Sequence, residues 1–399
     1  MMILLLSSVF PPEPVVSASI VYDLAVALSE KWDVKVVTPK PSRPMGFSFK
    51  EEYIENEGFE HIVLPSFTYP KSKIIGRMLE SFIFGKHAAK YIKRNRKEIR
   101  CIYLNTWPLL AQYLIVKASK KYSIPSVIHV QDIYPESLLD KLPLFKRLIF
   151  KFLLPIDKYI QKNSSKVVTI SPKMKNILFT TRNMEENKID VVHNWQNEEK
   201  FIEYRNSEKK EPKNSCFTFM FLGNLNRTAA VDVLISAFKV NGTENSRLVI
   251  AGTGSERGLL LSLADNKQGV NIEFWDAPII RVPEIQDRAD VLLLTLKKDA
   301  AQFALPSKLM AYMFSAKPII ACVNEESDTA NAIKQANCGW VVPPEDIVAL
   351  AAAMKTVASI PHAELLCYGS NGFNYAMENY SKKKNLQKMI SIIDEVVTT

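Results

Sequence analysis

The feature that most constrains this chain is its rhythm. Short apolar runs alternate with amphipathic stretches of helical period from the first residues to beyond residue 340. Strands and helices that alternate in this way bury a parallel sheet between helices, the α/β architecture. In the first half the runs predict strands at 3–7, 33–38, 61–64, 101–105, 126–131, 166–170 and 189–192, with helices between them, as at 19–31 and 109–122. The rhythm breaks over 203–215 (EYRNSEKKEPKNS), which is polar, lacks apolar periodicity and reads as a linker. A second series predicts strands at 217–222, 247–251, 271–275, 291–295, 318–323 and 339–342. Its helices are expected at 230–239, 255–265, 282–288, 307–315, 329–336 and 347–359, with one or two more over 370–397. Two Rossmann-like units imply a cleft, and in such sheets ligands bind beyond the carboxyl ends of the strands.

Composition narrows the function classes. The chain has 399 residues, 47% hydrophobic and 23% charged, which excludes a disordered or collagen-like chain. Its five cysteines (Cys101, Cys216, Cys322, Cys338, Cys367) form no CxxC pair, which argues for a reducing compartment and against a zinc site or disulfide framework. The apolar start meets Pro11 and Pro12 too soon for a signal peptide and reads as a buried first strand. No run of eighteen apolar residues occurs, so no transmembrane helix is expected and the protein is placed in the cytoplasm. Net charge is +9, but residues 1–200 carry 30 basic and 20 acidic side chains, so the whole excess lies in the first half. Such asymmetry suits an anionic surface, nucleic acid or membrane. Two stretches that mix bases with apolar residues, 146–154 and 90–100, are candidates for a membrane-facing surface. No aromatic stacking module accompanies the bases, so nucleic acid is not expected as a partner.

The strand ends carry the candidate chemistry. After 217–222 come Gly223, Asn224 and Arg227: a glycine for close backbone approach and a guanidinium for phosphate. After 247–251 come Gly252 and Gly254, a glycine-rich strand-to-helix turn, and after 271–275 comes Ala277, a shelf for a flat base. Pro306-Ser307-Lys308 opens a helix, with Ser307 as the expected N-cap and Lys308 in the first turn, where the helix dipole disfavours a cation. A diphosphate between the lysine and the free amides would explain that placement. In the first half, His129 and Asp132 fall near the end of a strand, Asp132 to orient a sugar hydroxyl or accept its proton, with Glu136 in the turn beyond. Glu13 and Ser17, on a proline-stiffened loop, are candidate acceptor contacts.

In order along the chain, ILLLSSVFPPEP, Gln131-Asp132-Ile133-Tyr134-Pro135-Glu136, His193-Asn194-Trp195, Phe221-Leu222-Gly223-Asn224, Ile250-Ala251-Gly252-Thr253-Gly254, Pro306-Ser307-Lys308 and Gly339-Trp340-Val341-Val342-Pro343-Pro344 resemble the family 4 glycosyltransferases of GT-B fold. Within them they resemble the branch typified by the L-fucosamine transferase of bacterial O-antigen and capsule loci. The resemblance covers nearly the whole chain. It implies a GT-B fold of two Rossmann-like domains facing across a cleft. Residues 1–205 would be the acceptor domain, 206–375 the nucleotide-sugar domain, and 376–399 a helix packing back on the first. It further implies transfer with retention from a nucleotide-sugar, UDP-linked by preference, to a polyprenyl-diphosphate-linked saccharide, with the basic half at the inner face of the plasma membrane. Family members commonly carry two glutamates spaced E-x7-E; the matching positions here are Phe303 and Ala311. No DxD occurs, so neither a metal nor another cofactor is expected, and Lys308 and Arg227 are the candidates to stabilise the leaving diphosphate. Two other readings share this architecture: a non-catalytic membrane scaffold, which the missing glutamates favour, and a UDP-sugar 2-epimerase, which would need more histidines and carboxylates than the chain offers.

Overall fold

The computed structural model describes residues 1–42, 58–68, 74–105, 109–136, 146–207, 216–240, 245–265, 270–278, 281–298 and 306–398. They fall into two compact units, Met1–Asn194 with Asn385–Thr399, and Trp195–Lys384. Boundaries were expected at 205/206 and 375/376; the units divide earlier at the first and later at the second.

Unit 1 holds a parallel sheet of β1 (Met2–Leu6), β2 (Asp33–Thr38), β3 (Glu60–Val63), β4 (Ile99–Asn105), β5 (Ser126–Val130), β6 (Lys166–Thr169) and β7 (Ile189–Val191), in the order β3-β2-β1-β4-β5-β6-β7. β1, MILLL, is buried along its whole length, as a central parallel strand covered on both faces must be. Its helices are α1 (Val16–Ser29), α2 (Ile74–Asn95), α3 (Leu109–Lys121), α4 (Lys146–Asn163) and α5 (Pro172–Arg182). Phe84, Ala88 and Ile92 of α2, Ile115 and Val116 of α3, and Leu153 and Ile160 of α4 share one core with Leu4, Ile102 and Ile128 of the strands.

Unit 2 repeats the plan with α6 (Glu199–Asn206), β8 (Phe217–Leu222), α7 (Val231–Val240), β9 (Ser246–Ala251), α8 (Arg257–Ala264), β10 (Ile272–Trp275), α9 (Val282–Asp287) and β11 (Val291–Thr295). It continues through α10 (Ser307–Phe314), β12 (Ile319–Cys322), α11 (Asp328–Ala336), β13 (Gly339–Val342), α12 (Ile347–Ala358) and α13 (His362–Asn379). The sheet order is β10-β9-β8-β11-β12-β13. In both sheets the order reverses at the first strand of the unit, the place where open α/β sheets bind ligands.

The last helix, α14 (Lys382–Thr398), joins unit 1 from Asn385 onward. Met389, Ile393 and Val397 are buried. Asp394 takes the Lys31 ammonium at 2.8 Å and the Trp32 indole N–H at 3.0 Å, and Arg100 Nε donates to the Val397 carbonyl at 3.1 Å.

Two local expectations fail. Residues 203–206 of the expected linker are the end of α6, because Phe201 is a buried anchor for that helix; the remainder, 208–215, lies outside the described residues. The basic stretch 90–100 is not one amphipathic surface, since α2 stops at Asn95 and β4 starts at Ile99. Substituting Ile393→Ala should lower stability by about 2–5 kcal/mol through the cavity it leaves. Breaking the half-exposed Lys31–Asp394 pair with Asp394→Asn should cost less than ~1 kcal/mol. Urea unfolding of both variants checks the contrast.

Candidate functional site

The site in unit 2 is built from the end of β8 and the start of α10. Leu222 closes the strand; its N–H donates to the Tyr312 hydroxyl at 2.9 Å and its carbonyl accepts from the same hydroxyl at 3.0 Å. Tyr312 lies one helical turn beyond Lys308 on the same face of α10, so pinning the phenol to the strand fixes where the lysine emerges. The Lys308 ammonium sits 4.2 Å from the centroid of the Phe221 ring. It borders Gly223, where an added Cβ would stand 3.5 Å from Nζ. No carboxylate among the described residues pairs with it, and desolvation lowers its pKa to about 8.

The helix start is open. Pro306 holds the extended cap position (φ −69°, ψ 134°) and offers no side-chain acceptor. The expectation that Ser307 is the N-cap is therefore corrected: the proline occupies that place and Ser307 is the first helical residue, with an exposed side chain. The first-turn amides thus have no side-chain cap and carry the positive end of the helix dipole.

In front of them lies a cleft of about 370 Å³. Gly223 and Asn224, then Asn226, Thr228 and Ala229, line one side; Gln286 of α9 and Ser307, Lys308 and Ala311 of α10 line another. Asn226 caps the short turn Arg227–Ala229 by accepting from the Ala229 N–H at 3.0 Å. Thr295 Oγ1 and the Lys297 N–H hold that turn to the end of β11 through the carbonyls of Ala229 and Thr228, at 2.5 and 3.0 Å. Arg227 is exposed on this turn, outside the lining, and has no ion-pair partner among the described residues. Ala311 presents a methyl group to the cleft at one of the two positions where the resembling family commonly has glutamate; Phe303, the other, lies outside the described residues.

Several expected contacts have other work. A Cβ on Gly252 would lie 2.1 Å from the Gly223 carbonyl oxygen, and one on Gly254 would lie 2.3 Å from that of Leu225. These glycines let the loops after β8 and β9 pack together; neither lines the cleft. Ala277 is half-buried against the core beside Trp275 and does not reach the cleft, nor does Pro306 line it.

Unit 1 presents a polar row at the carboxyl ends of its strands. Ser17 donates its hydroxyl to Gln131 Oε1, and its carbonyl accepts from Asn105 Nδ2 at 3.1 Å. Gln131 Nε2 extends the row to Asn194 Oδ1 at 3.5 Å. Asp132, next in sequence, is exposed.

The other expected residues of this unit are structural. His129 is fully buried, its Nδ1 2.8 Å from the Tyr103 hydroxyl, and desolvation drops its pKa to about 3. A ring that is neutral at every working pH and sealed in the core cannot exchange protons with a substrate, so the catalytic assignment is corrected. Glu136 is held by Arg182, which reaches it at 2.5 and 2.7 Å and also bonds Asp157 at 2.7 Å. The Arg182 side chain is wholly buried, so both carboxylates are needed to satisfy it. Glu13 is buried and accepts from the N–H groups of Phe10 at 3.1 Å and Ser42 at 2.8 Å, which fixes its own loop.

Sequence reasoning missed Phe221, Tyr312 and Gln286, and the carboxamides Asn105, Gln131 and Asn194. Tyr312 had a signal, since it stands four residues beyond Lys308; Asn105 and Gln131 stand at predicted strand ends. Among the described residues no three His, Cys, Asp or Glu side chains gather as metal ligands.

Residues 17–200 match the family described as Glycosyltransferase Family 4, and residues 216–359 that described as Glycosyl transferases group 1. The chain is a glycosyltransferase. The transferase is 23% identical to the "Probable glycosyltransferase WbjE" of Pseudomonas aeruginosa over 337 residues, 81% of this chain and 80% of that one. Its fold is similar to that of the Anabaena protein HepE, solved in complex with UDP (TM-score 0.72, 15% identity, 99% of this chain and 100% of the other). It is also similar to WaaG, a glycosyltransferase involved in lipopolysaccharide biosynthesis (TM-score 0.65, 17% identity, 98% and 99%). The two parallel sheets and these neighbours make the fold GT-B.

Because Lys308 titrates near 8 when folded and near 10.5 when unfolded, folding at neutral pH carries the cost of burying a charge. Lys308→Met should therefore raise stability at pH 7, by up to ~3 kcal/mol. The advantage should be full below pH 8 and shrink as the pH rises toward 10.5, where the wild-type lysine is already neutral in both states; thermal melts at pH 7 and 10 check the sign. Glu136→Ala, which half-strips a buried guanidinium, should cost ~3 kcal/mol of stability, measured by urea unfolding.

Proposed function

We propose that the transferase moves a sugar from a UDP-sugar to a polyprenyl-diphosphate-linked saccharide, with retention of configuration, in bacterial O-antigen or capsule synthesis. The observation that carries the donor half is the Lys308 ammonium, desolvated, without a carboxylate, and beside an uncapped helix start. These groups suit a diphosphate: the amides and the ammonium supply positive charge that the fold leaves otherwise unused. When the bond from the sugar anomeric carbon to the diphosphate oxygen breaks, negative charge grows on that oxygen. Preorganised cations lower the barrier by meeting it there. Lys308 has that role and Arg227 assists from the neighbouring turn, so no metal or other cofactor is required. The cleft's carboxamides Gln196 and Asn224 offer donors and acceptors to ribose and sugar hydroxyls.

On unit 1, Asp132 orients the acceptor hydroxyl, with Ser17 in the polar row behind it. As the new bond from acceptor oxygen to anomeric carbon forms, the hydroxyl proton passes to the departing phosphate oxygen, which balances the step. The lipid-linked acceptor is supported by the basic first half and by the similarity to a lipopolysaccharide glycosyltransferase. It places the enzyme in the cytoplasm, peripheral on the inner face of the plasma membrane. The assignment to the L-fucosamine branch rests on the sequence motifs.

A thermal-shift series with UDP, GDP and CMP, with and without EDTA, tests the donor half. Ligand at a hundred times its Kd should stabilise by about 2.7 kcal/mol, a visible shift. The expected result is a shift with UDP that EDTA leaves unchanged and that Lys308→Met abolishes. A shift that needs a divalent cation, or that survives in Lys308→Met, would overturn this reading; no shift with any nucleotide would favour the scaffold.

A further inference from the structure

Among the described residues four carboxamides border the cleft of unit 2, and two of them are already committed. Asn226 Oδ1 accepts from the Ala229 N–H at 3.0 Å, and Gln286, 1% exposed, accepts from the Ser315 hydroxyl. Asn224 is exposed on its loop. Gln196 differs from all three: it is half-buried, and its side-chain amide has no partner among the described residues. A carboxamide offers two N–H donors and one carbonyl oxygen, a set that neighbouring hydroxyl groups can take.

The backbone that presents Gln196 is anchored on both sides. Its N–H donates to the Tyr380 carbonyl at 3.3 Å, and Gln196 faces Ser381 across an isolated parallel bridge. Two residues on, the Glu198 carboxylate accepts from the Ser381 hydroxyl at 2.5 Å and from the Lys382 N–H at 2.8 Å. Glu198 immediately precedes α6, yet its side chain does not cap that helix and caps the start of α14 instead. That start needs an acid: its first turn is Lys382, Lys383 and Lys384, where the helix dipole disfavours cations. Glu198 and Ser381 are both buried, so the carboxylate is tolerated only while its oxygens are bonded. Phe201, three residues further, is buried against Phe314 of α10, with ring centroids 5.8 Å apart. Residues 196–201 are thus held between the chain at 380–382 and the helix that carries Lys308.

We infer that Glu198 is a positioning residue for the donor: it fixes Gln196, whose carboxamide meets hydroxyl groups of the nucleotide-sugar. Glu198 does not itself line the cleft. Its part is to tie the segment to Ser381 and Lys382, so that the Gln196 amide waits where a hydroxyl arrives. A side chain held in advance gives up little freedom on binding. The hydroxyls belong to the ribose or to the transferred sugar, and the choice of ligand separates the two. The inference rests on the proposed donor site and deepens it by naming the residue that sets one of its contacts.

Calorimetric titration of UDP and of UDP-glucose into the full chain, through a double-mutant cycle of Gln196→Ala and Glu198→Ala, tests it. Gln196→Ala should weaken binding about three- to tenfold, the loss of one neutral hydrogen bond. Loss with both ligands assigns the ribose; loss with UDP-glucose alone assigns the sugar. Glu198→Ala should weaken binding about threefold alone and not measurably in the Gln196→Ala background, because a residue that acts through another then has nothing to act on. Glu198→Gln, which keeps one acceptor oxygen, should lose less. Ser381→Ala, which removes one of the two bonds, takes the place of Glu198→Ala in the cycle should that variant not fold. Urea unfolding reports stability separately. Leu365→Ala, a buried residue of the same unit outside the cleft lining, should lower the unfolding midpoint and leave UDP affinity as in the wild type. Wild-type affinity in Gln196→Ala or in Glu198→Ala, or equal losses from Glu198→Ala in both backgrounds, would overturn the inference and leave the donor site standing. A wild type that binds neither ligand would overturn the donor reading and the inference with it.

Discussion

The interaction on which the donor site depends is the pair of hydrogen bonds between the Tyr312 hydroxyl and the backbone of Leu222. It locks the end of one strand to the first turns of one helix. From that lock follow the place of Lys308 over Phe221 and the short reach to Gly223. A lysine ammonium taken from water without a carboxylate is a liability in a folded protein. Here it is kept, at an open helix start, beside a cleft lined by neutral amides. Strain of this kind is expected where a fold gives up stability for chemistry.

The packing around the cleft shows how little latitude the backbone has. Gly252 and Gly254 allow the loops after β8 and β9 to touch, so that the turn carrying Asn224 and Asn226 is supported from behind. In unit 1 the buried Arg182 plays the corresponding part, binding Glu136 and Asp157 at once and anchoring the turn that follows Asp132. In each unit residues that resembled ligand contacts by type and position instead hold the loop that presents the contacts.

Much of the fold was legible because the strands are buried on both faces and read as apolar runs. β2, β8, β11 and β13 fall on their expected residues, and the other strands are within two residues of theirs. The linker was misjudged because Phe201 anchors a helix whose last residues are polar, and a polar run gives no periodicity to read. At the site, Gly223, Asn224 and Lys308 were legible from their places after a strand and at a helix start. His129, Glu136 and Glu13 were not, since their partners Tyr103, Arg182 and Ser42 lie 26, 46 and 29 residues away, and burial depends on those contacts.

The central claim is that the Lys308 ammonium meets the donor's diphosphate. Calorimetric titration of UDP into the full chain, in two buffers of different ionisation enthalpy, measures the protons taken up on binding. A lysine that titrates near 8 when free and is charged in the complex predicts proton uptake that sets in as the pH rises through about 8 and an affinity that falls above it. Binding with no proton uptake at pH 8 and equal affinity at pH 7 and pH 9.5 would contradict it.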